Sequence, residues 1–252
     1  MSTVCRIRVA GRVFLIRARS ENLPGLYRKY IAEEDAVPDF SVEIAEEELD
    51  AERQAMEEYA SVSARTKRDL PLKIVENAAI FRKVAACLLP DGTVPLHGSA
   101  IAWKGHGILF TAPSGTGKST HTRFWKALYG DEVTVVNDDK PLICTDQSGR
   151  CLICGSPWSG SSRTNENITV PLHAVCFLHR AEENRFREAD RAEALSGILQ
   201  CIYRPGTRQE ANRVVDAVRR INACASFFEI GCVNDISAAS FVRERIGAAL
   251  KE

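Results

Sequence analysis

The stretch that decides the fold reads His97-Gly-Ser-Ala-Ile-Ala-Trp103, Lys104-Gly-His-Gly107, Ile108-Leu-Phe-Thr111, and then Ala112-Pro-Ser-Gly115-Thr-Gly117-Lys118-Ser119-Thr120. Two short apolar runs around a glycine-bearing turn predict an antiparallel hairpin. Phe124, Trp125 and Leu128 then recur at helical spacing up to a stop at Gly130, so a strand feeds a glycine-rich loop and the loop feeds a helix. In that setting glycines let successive backbone N–H groups converge on an anion, and the helix start adds the positive end of its dipole. Lys118 is placed to reach the β and γ phosphates and the Ser119 hydroxyl to ligate magnesium. The stretch therefore predicts a P-loop of the Walker A type, made by Ser114, Gly115, Thr116, Gly117, Lys118, Ser119 and Thr120, with ATP and Mg2+ as its ligands. Ala112 stands where the pattern has its first glycine, which is harmless if its φ is negative.

Downstream, Val133-Thr-Val-Val136 is a β-branched run that predicts a buried strand ending in Asn137-Asp138-Asp139-Lys140. Acids at such a strand end can reach a bound metal. One carboxylate can hold magnesium while its neighbour accepts a proton from an incoming hydroxyl, which makes Ser119, Asp138 and Asp139 the candidate metal site. A hairpin from Leu142 to Cys154 follows, and then Gly155 to Asn167, thirteen residues without periodicity. That length exceeds a mere connection, so the loop, with Trp158, Arg163 and Glu166, is assigned to acceptor binding; an ordered surface loop is the plainer alternative.

Toward the N-terminus, residues 4 to 9 and 12 to 17 alternate around Ala10-Gly11 as a hairpin does, and Asp39 to Ile44 reads as a third strand. Seven basic residues against one acid in 1–31 precede twelve acids against one base in 33–58. Such runs either face each other across one module or offer a docking face to a basic partner. The polar stretch Ser61 to Asp69 sets the boundary between a small α+β module, 1–65, and a larger unit, 66–252. That unit opens on a helix marked by Ile74, Ala78, Phe81, Ala85 and Leu88. Beyond Asp190-x-x-Glu193, a capping box, Leu195, Ile198, Leu199 and Ile202 form one helical stripe and Val214, Val215, Val218 and Ile221 another. A strand from Ser226 to Ile230 and a helix from Asp235 to Leu250 complete the chain. Arg204, between helices, is either a bidentate phosphate clamp or a loop arginine.

Composition excludes other classes. The 252 residues are 45% hydrophobic and carry 33 basic against 33 acidic side chains. No global field gathers nucleic acid or an anionic membrane, and no eighteen-residue apolar run suggests a membrane span. Nine scattered cysteines read as reduced, buried small hydrophobes of a cytoplasmic protein. Cys151 and Cys154 lack a second half-site for zinc.

Leu96-His97-Gly98-Ser99, the hairpin, Ser114 to Ser119 and the strand ending at Asp138-Asp139 together resemble the catalytic domain of HPr kinase/phosphorylase and, more distantly, ATP-dependent phosphoenolpyruvate carboxykinase. Gly155-Ser-Pro-Trp-Ser-Gly160 and Tyr203-Arg-Pro-Gly206 resemble HPr-kinase-like bacterial proteins, some of which accompany peptide-modification clusters. The likeness spans roughly residues 70 to 250, and the first ninety do not resemble the regulatory domain of HPr kinase. It implies a β-rich α/β nucleotide-binding core that phosphorylates a serine hydroxyl, in an assembly that is often homo-oligomeric. Lys118 would then bind the phosphates, Ser119 the metal, and Asp139 would accept the proton beside Asp138. His97 would sit near the γ-phosphate, and Arg204 would be the clamp. Three functions fit: a kinase acting on a hydroxyl of a peptide, protein or small molecule; a nucleotide-gated binding or regulatory protein that hydrolyses or merely holds ATP and has no acceptor; and an ordinary P-loop metabolic kinase. Ordinary P-loop kinases enter the loop from a central parallel strand, so strand direction separates the last from the first.

Overall fold

The computed structural model describes residues 3–62, 70–202, 204 and 206–250. Packing divides the chain into two compact units, Met1–Leu88 and Leu89–Glu252. The division falls later than the 65/66 boundary read from the sequence, because the helix expected to open the second unit packs within the first. Residues 63–69 of the boundary stretch lie outside the described residues.

In the first unit, β1 (Thr3–Val9) and β2 (Arg12–Ala18) form the expected antiparallel hairpin, and β3 (Phe40–Glu43) joins β2 in parallel. Two helices follow, α1 (Glu46–Val62) and α2 (Leu72–Leu88). The basic and acidic runs do meet: Arg8 pairs with Glu33 at 2.6 Å, Arg12 with Asp39 at 3.3 Å, and Arg19 with Glu46. Glu76 of α2, 1% exposed, accepts hydrogen bonds from the backbone N–H groups of Arg19 and Ser20, a buried carboxylate that closes the end of β2.

The second unit is a mixed α/β structure. Its elements are β4 (Val94–Pro95), β5 (Ser99–Trp103), β6 (His106–Thr111), α3 (Lys118–Tyr129), β7 (Val133–Asn137), β8 (Leu142–Thr145), β9 (Cys151–Cys154), β10 (Thr169–Arg180), β11 (Arg185–Glu188), α4 (Arg191–Cys201), α5 (Arg208–Cys224), β12 (Ser226–Cys232) and α6 (Ser237–Ala249). Among the described residues the nine strands run β7-β5-β6-β10-β12-β11, while β9, β8 and β4 branch from the first residues of β10. Only β6/β10 and β10/β12 are parallel. Side chains alternate across this sheet as the two-residue period requires. Leu109, Val175, Phe177 and Phe227 pack on one face with Ile198 of α4 and Val218 and Ile221 of α5. Phe110, Cys176, Phe228 and Ile230 pack on the other with Trp125 of α3 and Val242 and Ile246 of α6.

Both capping boxes at the starts of α4 and α5 close: Asp190 with Glu193, and Thr207 with Glu210. The second went unread in the sequence. The cysteines are all free thiols, and the expectation that they are buried holds for Cys151, Cys154, Cys176 and Cys201 and is corrected for the rest: Cys5, Cys87, Cys144 and Cys232 are half-buried and Cys224 is exposed.

Candidate functional site

The loop that follows β6 lies between an antiparallel neighbour, β5, and a parallel one, β10. The hairpin entry expected from the sequence is therefore present. The chain reverses through Gly115 at φ 82° and Gly117 at φ 119°, both in the region glycine adopts without strain, and Gly117 caps α3. Ala112 is absent from the described residues with positive φ, so replacing the first glycine costs nothing. No side chain caps the helix start, which leaves its first N–H groups to a ligand.

Lys118 is 7% exposed, and its Nζ donates to the carbonyls of Ala112 at 2.8 Å and Pro113 at 3.3 Å. Burial lowers its pKa, against the opposing pull of Asp139, Asp138 and Cys201. A desolvated ammonium held on two carbonyls has no carboxylate within ion-pair distance among the described residues, an arrangement that suits an anion.

The two acids arrive by register. Asn137 pairs with Ala100 across β7 and β5, which brings Asp138 and Asp139 to the start of β5 and the first turns of α3. Asp138 is 9% exposed, and its Oδ1 accepts from the Ser99 hydroxyl at 2.5 Å. Ser99 Oγ is in turn 2.9 Å from Thr122 Oγ1 on α3, so Asp138 is tied to the helix that begins at Lys118. Asp139 takes His97 Nδ1 at 3.1 Å on Oδ1 and the Lys140 ammonium on Oδ2. Burial works to raise its pKa, but the hydrogen bond from His97 and the charge and hydrogen bond of Lys140 prevail and bring it down to about 2. A carboxylate so stabilised is fully ionised at neutral pH and is a weak proton acceptor by itself.

No group of three or more acidic, His or Cys side chains among the described residues is placed to hold a metal ion, and magnesium beside a triphosphate needs none. It takes one or two protein oxygens and fills its remaining positions with phosphate and water. The Ser119 hydroxyl and Asp138 Oδ2, which no described residue engages, fit that requirement. Both oxygens of Asp139 are already taken, so Asp139 suits it less.

The loop Gly155 to Asn167 folds back over the acids, and Asn137 is what fastens it. This side chain is fully buried. Its Nδ2 donates to Ser156 O at 2.7 Å, Ser156 Oγ at 3.0 Å and Trp158 O at 3.4 Å, while its Oδ1 accepts from the N–H of Asp139 at 2.8 Å and of Lys140 at 2.7 Å. Asp138 N–H donates to Thr164 O and Glu166 N–H to Val136 O. Gly160, at φ 62°, sits against Asp139 so closely that an added Cβ would lie 3.1 Å from its carboxylate.

The three loop residues assigned to an acceptor fare differently. Trp158 is 4% exposed, so most of its surface is covered by protein. Arg163 is exposed at the loop crest in a left-handed conformation, φ 52°. Glu166 is half-buried and joins the loop to β7 through its backbone. Arg204 is exposed; two residues before it, Ile202 bridges to Leu96, and Cys201 O accepts from His97 N–H at 2.7 Å. The start of the Arg204 segment is thus held beside His97. Tyr203 and Pro205 lie outside the described residues.

Four site residues escaped the sequence reading: Ser99, Asn137, Lys140 and Arg180. Ser99 and Asn137 carried a faint signal as polar residues bounding apolar strands. Arg180 carried none, because only the β10/β6 register brings it to the loop.

His121, one helical turn into α3, is 4% exposed, and its Nε2 accepts from Trp125 Nε1 at 3.1 Å. Burial lowers its pKa from 6.5 to about 4. A histidine depressed in the folded state contributes stability that is present above pH 6.5 and lost as pH falls toward 4. We expect unfolding free energy to decline by about 3 kcal/mol across that window, and His121→Gln to flatten the decline. A pH-independent stability between 6.5 and 4 in the parent contradicts this.

No helix of the described residues is long and apolar enough to cross a membrane. No curated protein matches the chain. Among solved structures, it is similar to the Hpr(Ser) kinase/phosphatase from Coxiella burnetii at 12% identity and a TM-score of 0.37, over 62% of this chain and 97% of that one. The model of the SynChlorMet cassette protein ScmC family matches residues 62–204, a span that contains the glycine loop, both acids and the loop that covers them. With more than half its length matched, this chain belongs to the ScmC family of SynChlorMet cassette proteins.

Proposed function

We propose that this protein is an ATP- and magnesium-dependent phosphotransferase that moves the γ-phosphoryl group to a hydroxyl of a peptide, a protein or a small molecule, serine being the chief candidate. The observation that carries this reading is the meeting of Lys118 with Asp138 and Asp139. Asp138, twenty residues beyond Lys118, is tied through Ser99 to Thr122 on the helix that Lys118 begins, and the charges of both carboxylates favour the Lys118 ammonium. Phosphoryl transfer needs a phosphate cradle, a metal-site acid and a group that takes a proton, all within one small volume.

Lys118 and the N–H groups of Gly117 to Thr120 hold the phosphates, and Ser119 with Asp138 would hold magnesium, which would supply charge neutralisation on the leaving diphosphate. The acceptor oxygen forms its bond to the γ-phosphorus as the bond to the β-phosphate oxygen breaks, and ADP leaves. Its proton goes to the pair formed by His97 and Asp139. Asp139 Oδ1 on Nδ1 fixes the ring, which leaves Nε2 to receive that proton. This refines the single-base role of Asp139, because a carboxylate brought down to about 2 serves better as the group that orients and charges the histidine. Lys140, beside Asp139, and the exposed Arg163 favour an anionic acceptor such as a peptide carboxylate.

A second reading, a nucleotide-gated regulator, needs no acceptor loop. The fastening of 155–167 over Asp139 favours the first. The test is incubation with γ-labelled ATP, magnesium and fractionated peptides, proteins and metabolites. Label in an acid-stable monoester is expected. Release of inorganic phosphate alone, or bound ATP that is neither transferred nor hydrolysed, supports the regulator, and a protein that binds no ATP contradicts both.

A further inference from the structure

The parallel register of β10 with β6 sets Phe177 opposite Thr111. Beyond that pair the last three residues of β10 keep β12 on one edge and have the glycine loop, not a strand, on the other. Arg180, the final one, donates from Nη2 to Gly115 O at 2.6 Å and from Nε to Thr116 O at 3.4 Å. A trans peptide points its C=O and N–H in opposite directions. An arginine that holds two successive carbonyls on one side of the loop therefore turns the N–H groups of Thr116 and Gly117 to the other side. The Thr116 N–H makes a long turn contact, 3.3 Å, with Pro113 O, and the Gly117 N–H adjoins the open first turn of α3. Lys118 holds the carbonyls of Ala112 and Pro113, so four carbonyls of the loop are bound by two cations from opposite ends. Lys118 can leave its carbonyls for a phosphate. Arg180, on a strand, stays.

We infer that Arg180 is a positioning residue that pre-sets the glycine loop, orienting its amides for the polyphosphate before the ligand arrives. The inference rests on the phosphate-binding reading proposed above. Preorganised donors bind without the cost of ordering them, and a planar guanidinium fixes the directions of its donors toward two successive carbonyls, where an ammonium on a flexible stem does not. The effect concerns the polyphosphate and not the base, so any linear polyphosphate should register it.

The test uses the full chain with Arg180→Ala and Arg180→Lys. Calorimetry measures the Kd of magnesium tripolyphosphate and of MgATP, and hydrogen exchange follows the amides of 113–118 without ligand. Arg180→Ala is expected to raise both Kd values about tenfold, the scale of one charge-assisted hydrogen bond, and to speed exchange in the loop while the melting temperature of the ligand-free protein holds. Arg180→Lys keeps the charge and should recover only a small part of the affinity. Full recovery with lysine shows that charge alone matters and overturns the inference, as does an Arg180→Ala protein that binds both probes within twofold of the parent. A parent that binds neither probe removes the phosphate site itself and the inference with it; a parent that binds with no response at position 180 leaves that site standing.

Discussion

Asn137→Ala is expected to lower the stability of the second unit by about 3 to 5 kcal/mol, an effect of core-mutation size from one polar atom group. The side chain is fully buried and makes five hydrogen bonds. Alanine removes all five and leaves the N–H groups of Asp139 and Lys140 and the carbonyl of Ser156 without their partner, each at about 1 to 3 kcal/mol. Asn137→Asp should not rescue, since it keeps the acceptor for the two N–H groups but loses every donor and buries a charge. Denaturant unfolding measures the loss, and limited proteolysis between Gly155 and Asn167 should report the loop's release. A change below about 1 kcal/mol with an intact loop would mean that Asn137 does not fasten the site.

The second large effect separates the neighbouring acids. Asp139→Asn should reduce phosphoryl transfer by about two to four orders of magnitude, the range of a lost acid–base group, while nucleotide still binds. His97→Gln should cost a similar factor, and the double variant little more, because the two act as one unit. Asp138→Asn instead should raise the magnesium concentration needed for half-maximal rate. Equal, small losses in all three, or additive losses at 97 and 139, would contradict the assignment. Acid adds a signature of its own. With its folded pKa near 2, Asp139 contributes stability above its ordinary value of 3.8 that is lost as pH falls through about 2, below the window set by His121.

Local physics made much of this legible in advance. The glycine loop, its hairpin entry and the strand that ends just before Asp138 all follow from turn chemistry and side-chain period, and the arginine and acid runs of residues 1–58 pair as their signs required. What the sequence hid depends on register. The joining of β3 to β2, the branching of β9 from β10 and the placing of Arg180 beside Gly115 are long-range pairings that leave no local mark. The burial of Trp158 was hidden for a related reason: an aromatic in a long loop looks exposed, but Asn137 folds that loop inward. The unit boundary moved because α2, apolar enough to belong to either unit, packs with the first.

The central claim is that Lys118 waits as a buried cation for a polyphosphate, and thermal unfolding of the parent and Lys118→Met in MgATP tests it most directly. Methionine keeps the length and removes a desolvated charge, so the ligand-free variant should be at least as stable as the parent. At about a hundred times its Kd, MgATP should stabilise the parent by about 2.7 kcal/mol and the variant hardly at all. A parent whose melting temperature does not move across millimolar MgATP, or a variant that responds as the parent does, would contradict the account.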